Sequence, residues 1–310
     1  MGAVNNPCYL GVDGGGTRTT AWLADGRGRV LARAVSGPSN PLKVGFEAAE
    51  RELLRAAQRA LHRGRQERAS LEAVCVGLAG VDRPLAHQRL SRWLCRAIPA
   101  RAHLLTSDAA IALQAAIGDE PGIMVISGTG SIGYGRDARG SVMRSGGWGS
   151  LFDDAGSGYD IGRRAIAAAL QAYDGRGPRT SLGAAICRAL RLKDITRVVP
   201  KPLEPDGIAA LFPLVLEAAR RRDAVARRLL DDAGRDAAAL ALALLRRFGW
   251  MHQAVPVVLA GGVFQASRRV RVSFRRHLNR LAPRARIAML RRPAVEGALL
   301  LARKLAAEEQ

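Results

Sequence analysis

The chain has 310 residues, of which 48% are hydrophobic, and its formal net charge is +21. This length and apolar fraction suit two globular domains of ordinary size, each with its own core. The densest apolar run, residues 237–245, is far too short to cross a bilayer, so we expect no membrane partner. The four cysteines are widely spaced without a CxxC pair, which excludes a disulfide framework and a zinc or iron–sulfur site. With no signal-peptide pattern, we expect a cytoplasmic protein.

The first part of the chain alternates short apolar strands with helices of amphipathic spacing. The dipeptide Asp25-Gly26 indicates a hairpin between the second and third strands. Pro84 is acceptable in the first turn of its helix. We predict strands at 8–13, 19–24, 29–35, 71–78 and 102–105, and helices at 46–65, 83–98 and 108–117.

The second part of the chain repeats this order of strand, glycine turn, hairpin, helix and strand. The segment 175–205 interrupts the repeat and is interpreted as an insertion with one embedded helix. We predict strands at 122–127, 131–136, 141–144, 255–259 and 287–290, and helices at 160–173, 182–190, 207–221, 224–248, 264–281 and 295–307. Such a repeat indicates a duplicated α/β unit with mixed sheets.

Two glycine-rich turns at equivalent places in the two halves are the strongest functional signal. The first is residues 13–17, Asp-Gly-Gly-Gly-Thr, and the second is residues 127–131, Ser-Gly-Thr-Gly-Ser. Either turn alone would be interpreted as a tight hairpin. Together they predict a phosphate site, because glycine lets the backbone approach a phosphate closely and Thr17 and Thr129 supply hydroxyl donors. Asp13 is a candidate to hold Mg²⁺ through a water molecule.

The second turn also matches the dinucleotide pattern GxGxxG at Gly128, Gly130 and Gly133. That pattern binds pyrophosphate only where a helix begins at the turn. Residues 134–137 instead alternate and turn like a hairpin. We therefore reject a Rossmann nucleotide site.

Asp108 lies where a predicted strand gives way to a helix. Its structural interpretation is a helix N-cap, shared with Ser107. Ligands of α/β sheets bind at the carboxyl ends of strands, so the same carboxylate is also placed to take a proton from a substrate hydroxyl. The two roles are compatible.

Other residues have both a structural and a functional interpretation. Trp148 is either a core residue or the wall of a sugar pocket, framed by Gly147 and Gly149. Asn40 is either an Asx turn or a hydrogen-bonding partner of a sugar, and Asp154 is a candidate acceptor for sugar hydroxyls. The pair Gly261-Gly262 is either a plain strand-to-helix loop or a flat floor under an adenosine.

The positive charge comes almost entirely from arginines that are dispersed along the chain. No aromatic residues interleave with them, as stacking on single-stranded nucleic acid would require. Charge alone predicts weak association with polyanions. We expect no specific nucleic-acid partner.

Taken together, these motifs resemble the actin/hexokinase/sugar-kinase superfamily. Residues 10–19 resemble its first phosphate motif, residues 127–131 its second, and residues 259–263 its adenosine motif. Within the superfamily the chain resembles the N-acetylglucosamine kinase group of the BadF/BadG/BcrA/BcrD-type ATPases. The segments that carry this closer resemblance are 39–41, 105–110, 147–149 and 154–159.

The resemblance implies an α/β fold of the two-lobed actin-like (ribonuclease H-like) ATPase type, with duplicated mixed sheets and an interlobe cleft. It places an N-terminal lobe at 1–118, on which a C-terminal helix at about 291–310 packs back, and a C-terminal lobe at 119–290. The implied activity is an ATP-dependent sugar kinase that phosphorylates the C6 hydroxyl of N-acetylglucosamine or glucosamine. ATP and Mg²⁺ are the implied cofactors, and a homodimer is left open.

The resemblance also assigns roles to residues. Asp108 aligns with the catalytic base of the family and touches the sugar. The implied sugar contacts are Asn40, Asp108, Ser131, Gly147, Trp148, Gly149 and Asp154. The implied ATP contacts are Asp13, Gly14, Gly15, Gly16, Thr17, Gly128, Thr129, Gly130, Gly207, Gly261 and Gly262.

Two departures from the family pattern leave the sugar open. Many relatives have glutamate where this chain has Ala155, and a polar residue where it has Ile132. The alternatives are a kinase of another sugar, such as N-acetylmuramic acid, and a non-catalytic sugar- or nucleotide-sensing protein of the same fold. The cysteine motifs of the dehydratase-activating ATPases are absent, which argues against an electron-transfer activase.

Overall fold

The computed structural model describes residues 7–66, 71–81 and 83–308, so the start of the predicted N-terminal lobe and the end of the predicted C-terminal helix fall outside the described residues. The strands are β1 Cys8–Gly14, β2 Thr19–Asp25, β3 Val30–Ser36, β4 Leu71–Leu78, β5 Ala100–Ser107, β6 Gly122–Ser127, β7 Ser131–Arg136, β8 Val142–Gly146, β9 Pro256–Ala260 and β10 Arg286–Met289. The helices are α1 Pro41–Val44, α2 Phe46–Arg63, α3 Pro84–Ala97, α4 Asp108–Ile117, α5 Gly158–Tyr173, α6 Leu182–Leu190, α7 Pro205–Ala209, α8 Phe212–Arg220, α9 Ala224–Arg247, α10 Gly262–Ala266, α11 Arg268–Leu281 and α12 Ala294–Glu308.

The strands form two five-stranded sheets with the same internal order. One runs β3-β2-β1-β4-β5 and the other runs β8-β7-β6-β9-β10. In each sheet the first three strands are antiparallel, and the two added strands are parallel to the central one. The predicted duplication with mixed sheets is confirmed.

Backbone contacts divide the chain into two compact units. Unit 1 is Met1–Glu120 with Leu290–Gln310, and unit 2 is Pro121–Met289. In unit 1, α2 and α3 bury Leu53 and Leu90 on one face of the sheet, and α4 and α12 cover the other face. The close fit of α12 depends on glycine, since a β-carbon on Gly297 would lie 1.9 Å from the carbonyl oxygen of Ile111.

Unit 2 has one large core built around α9. Leu244 and Leu245 of this helix are fully buried, together with Phe264 and Phe274. The segment 175–205 contributes Leu182, Ile186, Ile195 and Val198 to the same core. Residues interpreted as an insertion are therefore part of the packing that holds the unit together.

Three elements differ from the sequence expectation. The helix expected at 207–221 is two helices, α7 and α8, because Pro213 lacks an amide hydrogen and fits only in a first turn. The helix expected at 264–281 is broken at Ser267, which is buried and caps α11 by accepting from the amide of Val270 at 3.2 Å. The four-residue helix α1 was not expected at all.

Candidate functional site

The first glycine turn joins β1 to β2 and is fixed by backbone hydrogen bonds. The amide of Gly15 donates to the carbonyl of Arg18 at 3.0 Å and closes the turn. The amides of Ser39 and Asn40 donate to the carbonyl of Gly15, at 3.0 and 3.2 Å, and the amide of Ala79 donates to Gly14 at 2.9 Å. The turn is thus held from two sides, and the Thr17 side chain on it is exposed.

Asp13 and Asp108 lie at the carboxyl edge of the parallel part of the first sheet. In strand register, Gly14 pairs with Leu78, and Leu78 pairs with Ser107. Asp13 precedes this row of residues and Asp108 follows it. Alternate strands are about 10 Å apart, so the two carboxylates share one edge.

The charge of Asp108 acts on the neighbouring Asp13 carboxylate. Burial, and then the negative charge of Asp108, raise the pKa of Asp13 to about 6, while Arg18 opposes this rise. Among the described residues no donor hydrogen-bonds the Asp13 carboxylate. The Asp13 carboxylate therefore has no hydrogen-bond donor among these residues, which is compatible with a hydrated cation as its partner.

Ser107, rather than Asp108, caps helix α4. The Ser107 hydroxyl accepts from the amide of Ala110 at 3.2 Å, while Asp108 is the first helical residue and its Oδ1 accepts from the amide of Ala109 at 2.9 Å. The N-cap interpretation of Asp108 is therefore wrong. One oxygen of its carboxylate is oriented by the amide of Ala109 at the helix start.

Asn40 begins helix α1 beside the first turn. Its Oδ1 accepts from the amide of Leu42 at 3.0 Å, so Asn40 is a genuine cap. Its side-chain oxygen also lies against Gly80, where a β-carbon would be 2.8 Å away. The cap and the sugar-binding hypothesis are compatible, because capping leaves the side-chain NH₂ as a donor.

The second glycine turn joins β6 to β7 and is fastened to the start of α5. Gly158 donates to the carbonyl of Gly128 at 2.8 Å, and Tyr159 donates to the carbonyl of Thr129 at 3.1 Å. The following strand pairs antiparallel with β6, so the rejection of a Rossmann site is confirmed. The Thr129 side chain is exposed on this fixed turn.

Asp154 and Ser131 form one buried cluster behind that turn. The Ser131 amide donates to Asp154 Oδ1 at 3.0 Å, and the Ser131 hydroxyl donates to the carbonyl of Ala155 at 2.8 Å. Burial raises the pKa of Asp154, and the hydrogen bond from Ser131 opposes the rise. Asp154 also adopts a left-handed φ of 65°, a conformation uncommon for a non-glycine residue.

Trp148 does not belong to the core. Its side chain is 63% exposed, and the guanidinium of Arg144 stacks over the ring at 4.3 Å from the ring centroid. The core interpretation of this residue is wrong. Its neighbours Gly147 and Gly149 have positive φ values of 73° and 94°, and a β-carbon on Gly147 would lie 2.8 Å from Ile132.

The glycines assigned to ATP differ in whether the backbone angle or the surrounding atoms require a glycine at that position. Gly261 has a φ of 97°, and a β-carbon there would lie 2.2 Å from the carbonyl oxygen of Ser127. Gly128 and Gly262 have no positive φ, and no described heavy atom lies within 4 Å of a β-carbon placed on them. Gly207 in α7 has only Leu203 at 4.0 Å. Protein packing explains Gly261 but not the other three.

A group of charged residues behind Asp154 was missed by the sequence analysis. Asp160 is buried, accepts from the amide of Gly156 at 3.0 Å, and forms an ion pair with Arg164 at 2.9 Å. Arg164 in turn reaches Asp236 of α9 at 2.8 Å. The spacing Ser-x-x-Asp at Ser157 and Asp160 is a capping pattern that could have identified this group.

The structure therefore collects the predicted site residues within each unit. Unit 1 brings together Asp13, Gly14, Gly15, Gly16, Thr17, Asn40 and Asp108. Unit 2 brings together Gly128, Thr129, Gly130, Ser131, Asp154 and Gly261. Within the described residues, no group of three His, Cys, Asp or Glu side chains could hold a metal ion, and no helix is long and apolar enough to cross a membrane. The four cysteines are free thiols.

The fold and these turns define a member of the actin-like α/β group of ATPases and sugar kinases. The model of the BadF/BadG/BcrA/BcrD ATPase family matches residues 10–302, and the chain belongs to that family. The resemblance found in the motifs is thereby confirmed.

Three relatives are close enough to be informative. An N-acetylmuramic acid/N-acetylglucosamine kinase of Clostridium acetobutylicum is 34% identical over 299 residues, which cover 95% of this chain and 97% of that protein. The N-acetyl-D-glucosamine kinase of Dictyostelium discoideum is 30% identical over 269 residues, covering 82% and 84%. The solved structure of a putative N-acetylglucosamine kinase from Chromobacterium violaceum is 32% identical, with a TM-score of 0.80 and coverage of 96% and 99%.

Proposed function

We propose that this chain transfers the terminal phosphoryl group of ATP to the C6 hydroxyl of an amino sugar, N-acetylglucosamine or glucosamine. The observation that carries the proposal is the pair Asp13 and Asp108 at one sheet edge beside a glycine turn. Family membership and the names of the kinases to which the chain is similar support it.

Asp108 is the proposed general base. Its helix-start position orients one carboxylate oxygen on the Ala109 amide, and the carboxylate is proposed to face the substrate hydroxyl. Taking up the hydroxyl proton makes the sugar oxygen a better nucleophile. Phosphoryl transfer otherwise needs positioning and charge stabilisation rather than covalent catalysis, so one base suffices.

Mg²⁺ is the proposed metal, and Asp13 is the residue that would hold it through water. The fit rests on a partly buried carboxylate that no described donor satisfies and whose neighbour is a second carboxylate. Nucleotide-bound Mg²⁺ typically takes one or two carboxylates, several waters and the phosphates. When bound, the ion would neutralise phosphate charge during transfer.

ATP contacts are proposed at the glycine turns of both units and at three further glycines. Thr17 and Thr129 offer exposed hydroxyls to phosphate oxygens. Gly128, Gly207 and Gly262 have no structural reason to be glycine, and a ligand that approaches the backbone supplies one. Gly14, Gly15, Gly16, Gly130 and Gly261 shape the same turns, and Gly261 positions the adenosine segment against Ser127.

The proposed sugar contacts are Asn40 in unit 1 and Ser131, Trp148 and Asp154 in unit 2, with Gly147 and Gly149 shaping the loop. Asn40 retains an amide donor, and Asp154 retains its second oxygen. Ser131 already donates its hydroxyl proton to Ala155, so toward a sugar it would act as an acceptor. Ala155 and Ile132 border this group and are the positions at which preference for N-acetylmuramic acid would arise.

A kinase assay over a panel of sugars tests the proposal. ADP release should depend on N-acetylglucosamine or glucosamine, with N-acetylmuramic acid, glucose and no sugar as comparisons. Phosphorus–proton correlation in the NMR spectrum of the product should place the phosphate on C6. ATP binding without ADP release on any sugar would instead identify a sensor of the same fold.

A further inference from the structure

Lys43 is a charged residue beside the first glycine turn that none of the assignments above uses. It belongs to α1, and its amide donates to the carbonyl of Asn40 at 2.9 Å. A β-carbon placed on Gly16 would lie 3.2 Å from Lys43 Nζ and 3.2 Å from its Cδ. The lysine side chain therefore extends across the face of Gly16, where glycine leaves the space for it.

The placement of Lys43 is fixed by the same hydrogen bonds that fix the turn. The amides of Ser39 and Asn40 bind the carbonyl of Gly15, and the Asn40 side chain caps α1. The segment that carries Lys43 is thus connected to the turn by direct hydrogen bonds. The side chain itself is exposed, so its ammonium group is accessible to a ligand.

Lysine is a rare residue type in this chain, in which most basic residues are arginines. The chain has 48 lysines and arginines together, yet lysine occurs only at positions 43, 193, 201 and 304. An ammonium group is a compact charge on a flexible stem, whereas guanidinium is a rigid planar fork. A compact charge that can follow a phosphate during transfer is well suited to a glycine turn next to Asp13.

We propose that Lys43 binds a phosphate group of ATP at the Gly14–Gly16 turn and neutralises its charge. This inference rests on the proposed kinase function. It adds a cationic phosphate ligand to a site for which only glycines, hydroxyls and Asp13 have been named.

The first test is protection of the lysines from acylation, read by mass spectrometry. The protein is treated with an amine-acylating reagent in the presence of the ATP analogue AMP-PNP with Mg²⁺, adenosine or glucosamine 6-phosphate. At about ten times its Kd, AMP-PNP should slow acylation of Lys43 about tenfold, because only the free fraction reacts. Lys193 and Lys201, both exposed in unit 2, are internal controls whose rates should not change.

Three results of this test would overturn the proposal. Unchanged labelling of Lys43 under saturating AMP-PNP would show that no phosphate reaches it. Protection by glucosamine 6-phosphate without protection by AMP-PNP would assign Lys43 to the product instead. Adenosine is expected to give no protection, and equal protection by adenosine would place Lys43 at the base or ribose rather than at a phosphate.

The second test is nucleotide affinity by calorimetry. Lys43→Met keeps the length and removes the charge, and it should raise the Kd of AMP-PNP about tenfold or more, as expected for one charge-assisted hydrogen bond. Lys43→Arg should retain part of the affinity, and adenosine affinity and the melting temperature should stay unchanged. The matched control is Lys193→Met, which should bind AMP-PNP like the wild type.

AMP-PNP binding by the wild type and by Lys43→Met distinguishes failure of the Lys43 proposal from failure of the kinase proposal. If the wild type binds AMP-PNP and Lys43→Met binds it equally well, the Lys43 assignment is overturned and the kinase proposal stands. If the wild type binds no AMP-PNP, the kinase proposal fails and this inference fails with it.

Discussion

The two glycine turns occupy the same place in two sheets of the same strand order, yet their surroundings differ in kind. The first turn is surrounded by charge: Asp13, Arg18, Lys43 and, along the same sheet edge, Asp108. The second turn is backed by a buried, hydrogen-bonded loop in which Asp154 is tied to Ser131. Two units of the same strand order thus differ at this turn: one has neighbouring carboxylates at its sheet edge, and the other has a buried, hydrogen-bonded loop.

The difference extends to the glycines themselves. A β-carbon on Gly14 would meet Ser39 Oγ at 2.6 Å and one on Gly130 would meet Asp154 Oδ1 at 2.7 Å, so both are needed for packing. Gly128 meets nothing within 4 Å. The described packing therefore requires Gly14 and Gly130 but not Gly128, and ligand binding is the role that we propose for Gly128.

The largest expected effect is a loss of turnover on substitution of Asp108 in the first unit. Asp108→Asn should lower kcat by about 10²–10⁴-fold with a modest change in KM, because an amide cannot accept the hydroxyl proton. Its melting temperature should be unchanged, since Ser107 caps the helix and the amide oxygen can still accept from Ala109. Steady-state kinetics and thermal unfolding measure both quantities. Asp119→Asn, at the other end of α4, is the control and should be fully active.

The next effect concerns the cradle in the second unit. Gly128→Val should leave the fold intact, because the added side chain points into open space, but it should reduce ATP affinity strongly by blocking the backbone. Gly130→Ala should instead destabilise the protein by pressing on Asp154. Calorimetric titration with AMP-PNP and Mg²⁺, together with melting curves, separates the two variants. Wild-type affinity in a folded Gly128→Val protein would remove the second turn from the ATP site.

Asp154→Asn should act on the sugar rather than on the nucleotide. The amide oxygen can still accept from the Ser131 amide, so the cluster should survive, while the group offered to sugar hydroxyls changes. We expect the sugar KM to rise about tenfold, the loss of roughly one charged hydrogen bond, with little change in the KM of ATP. Asp174→Asn at the exposed end of α5 is the control. An equal rise in both KM values would point to general disruption of the loop.

Asp13→Asn should separate stability from activity. Burial raises the pKa of Asp13 in the folded protein to about 6. Between about pH 4 and pH 6 the folded protein therefore keeps a proton on Asp13 that the unfolded chain has lost. The free energy of unfolding consequently decreases as the pH rises through this range. Asp13→Asn should therefore be more stable than wild type at pH 7.5, by about 3 kcal/mol, and this difference should fall to about 1 kcal/mol at pH 4.5. It should also be inactive.

Thermal unfolding of both proteins across pH 4.5–7.5 measures this difference. Parallel curves for the two proteins would show that Asp13 titrates normally, and the Mg²⁺ role would then lose its physical basis.

The smallest effect is expected at Gly207. Glycine inside a helix costs roughly 0.5–1 kcal/mol relative to alanine, and nothing within the described contacts requires it in α7. Gly207→Ala should raise the melting temperature slightly and weaken ATP binding. A more stable protein with unchanged ATP affinity would exclude Gly207 from the site.

Most strands and helices could be predicted from the sequence, because the patterns that indicate them lie within a few neighbouring residues. Apolar strands such as β4 and β6 were bounded by turn residues, and their limits were predicted to the residue. The breaks at Pro213 and Ser267 were missed because amphipathic spacing continues across them. Periodicity records which face is buried, but not where one helix ends and the next begins.

The site was less accessible to sequence reasoning. The glycine turns were visible, but whether packing or a ligand requires each glycine depends on neighbours that are distant in the chain, such as Asp154 for Gly130. The core interpretation of Trp148 could not be rejected from the sequence, because an isolated tryptophan gives no signal of exposure. Lys43 was overlooked because its contact with Gly16 depends on a short helix that no pattern announced.

The most direct test of the contrast between the two turns is a paired measurement on Asp108→Asn and Gly128→Val, giving kcat and the Kd of AMP-PNP for each folded variant. We expect Asp108→Asn to lose turnover while it retains nucleotide affinity. We expect the main effect of Gly128→Val to be a higher Kd for AMP-PNP. If Asp108→Asn phosphorylates its sugar at near the wild-type rate, Asp108 is not the base, and the role proposed for the carboxylate at the first sheet edge is wrong.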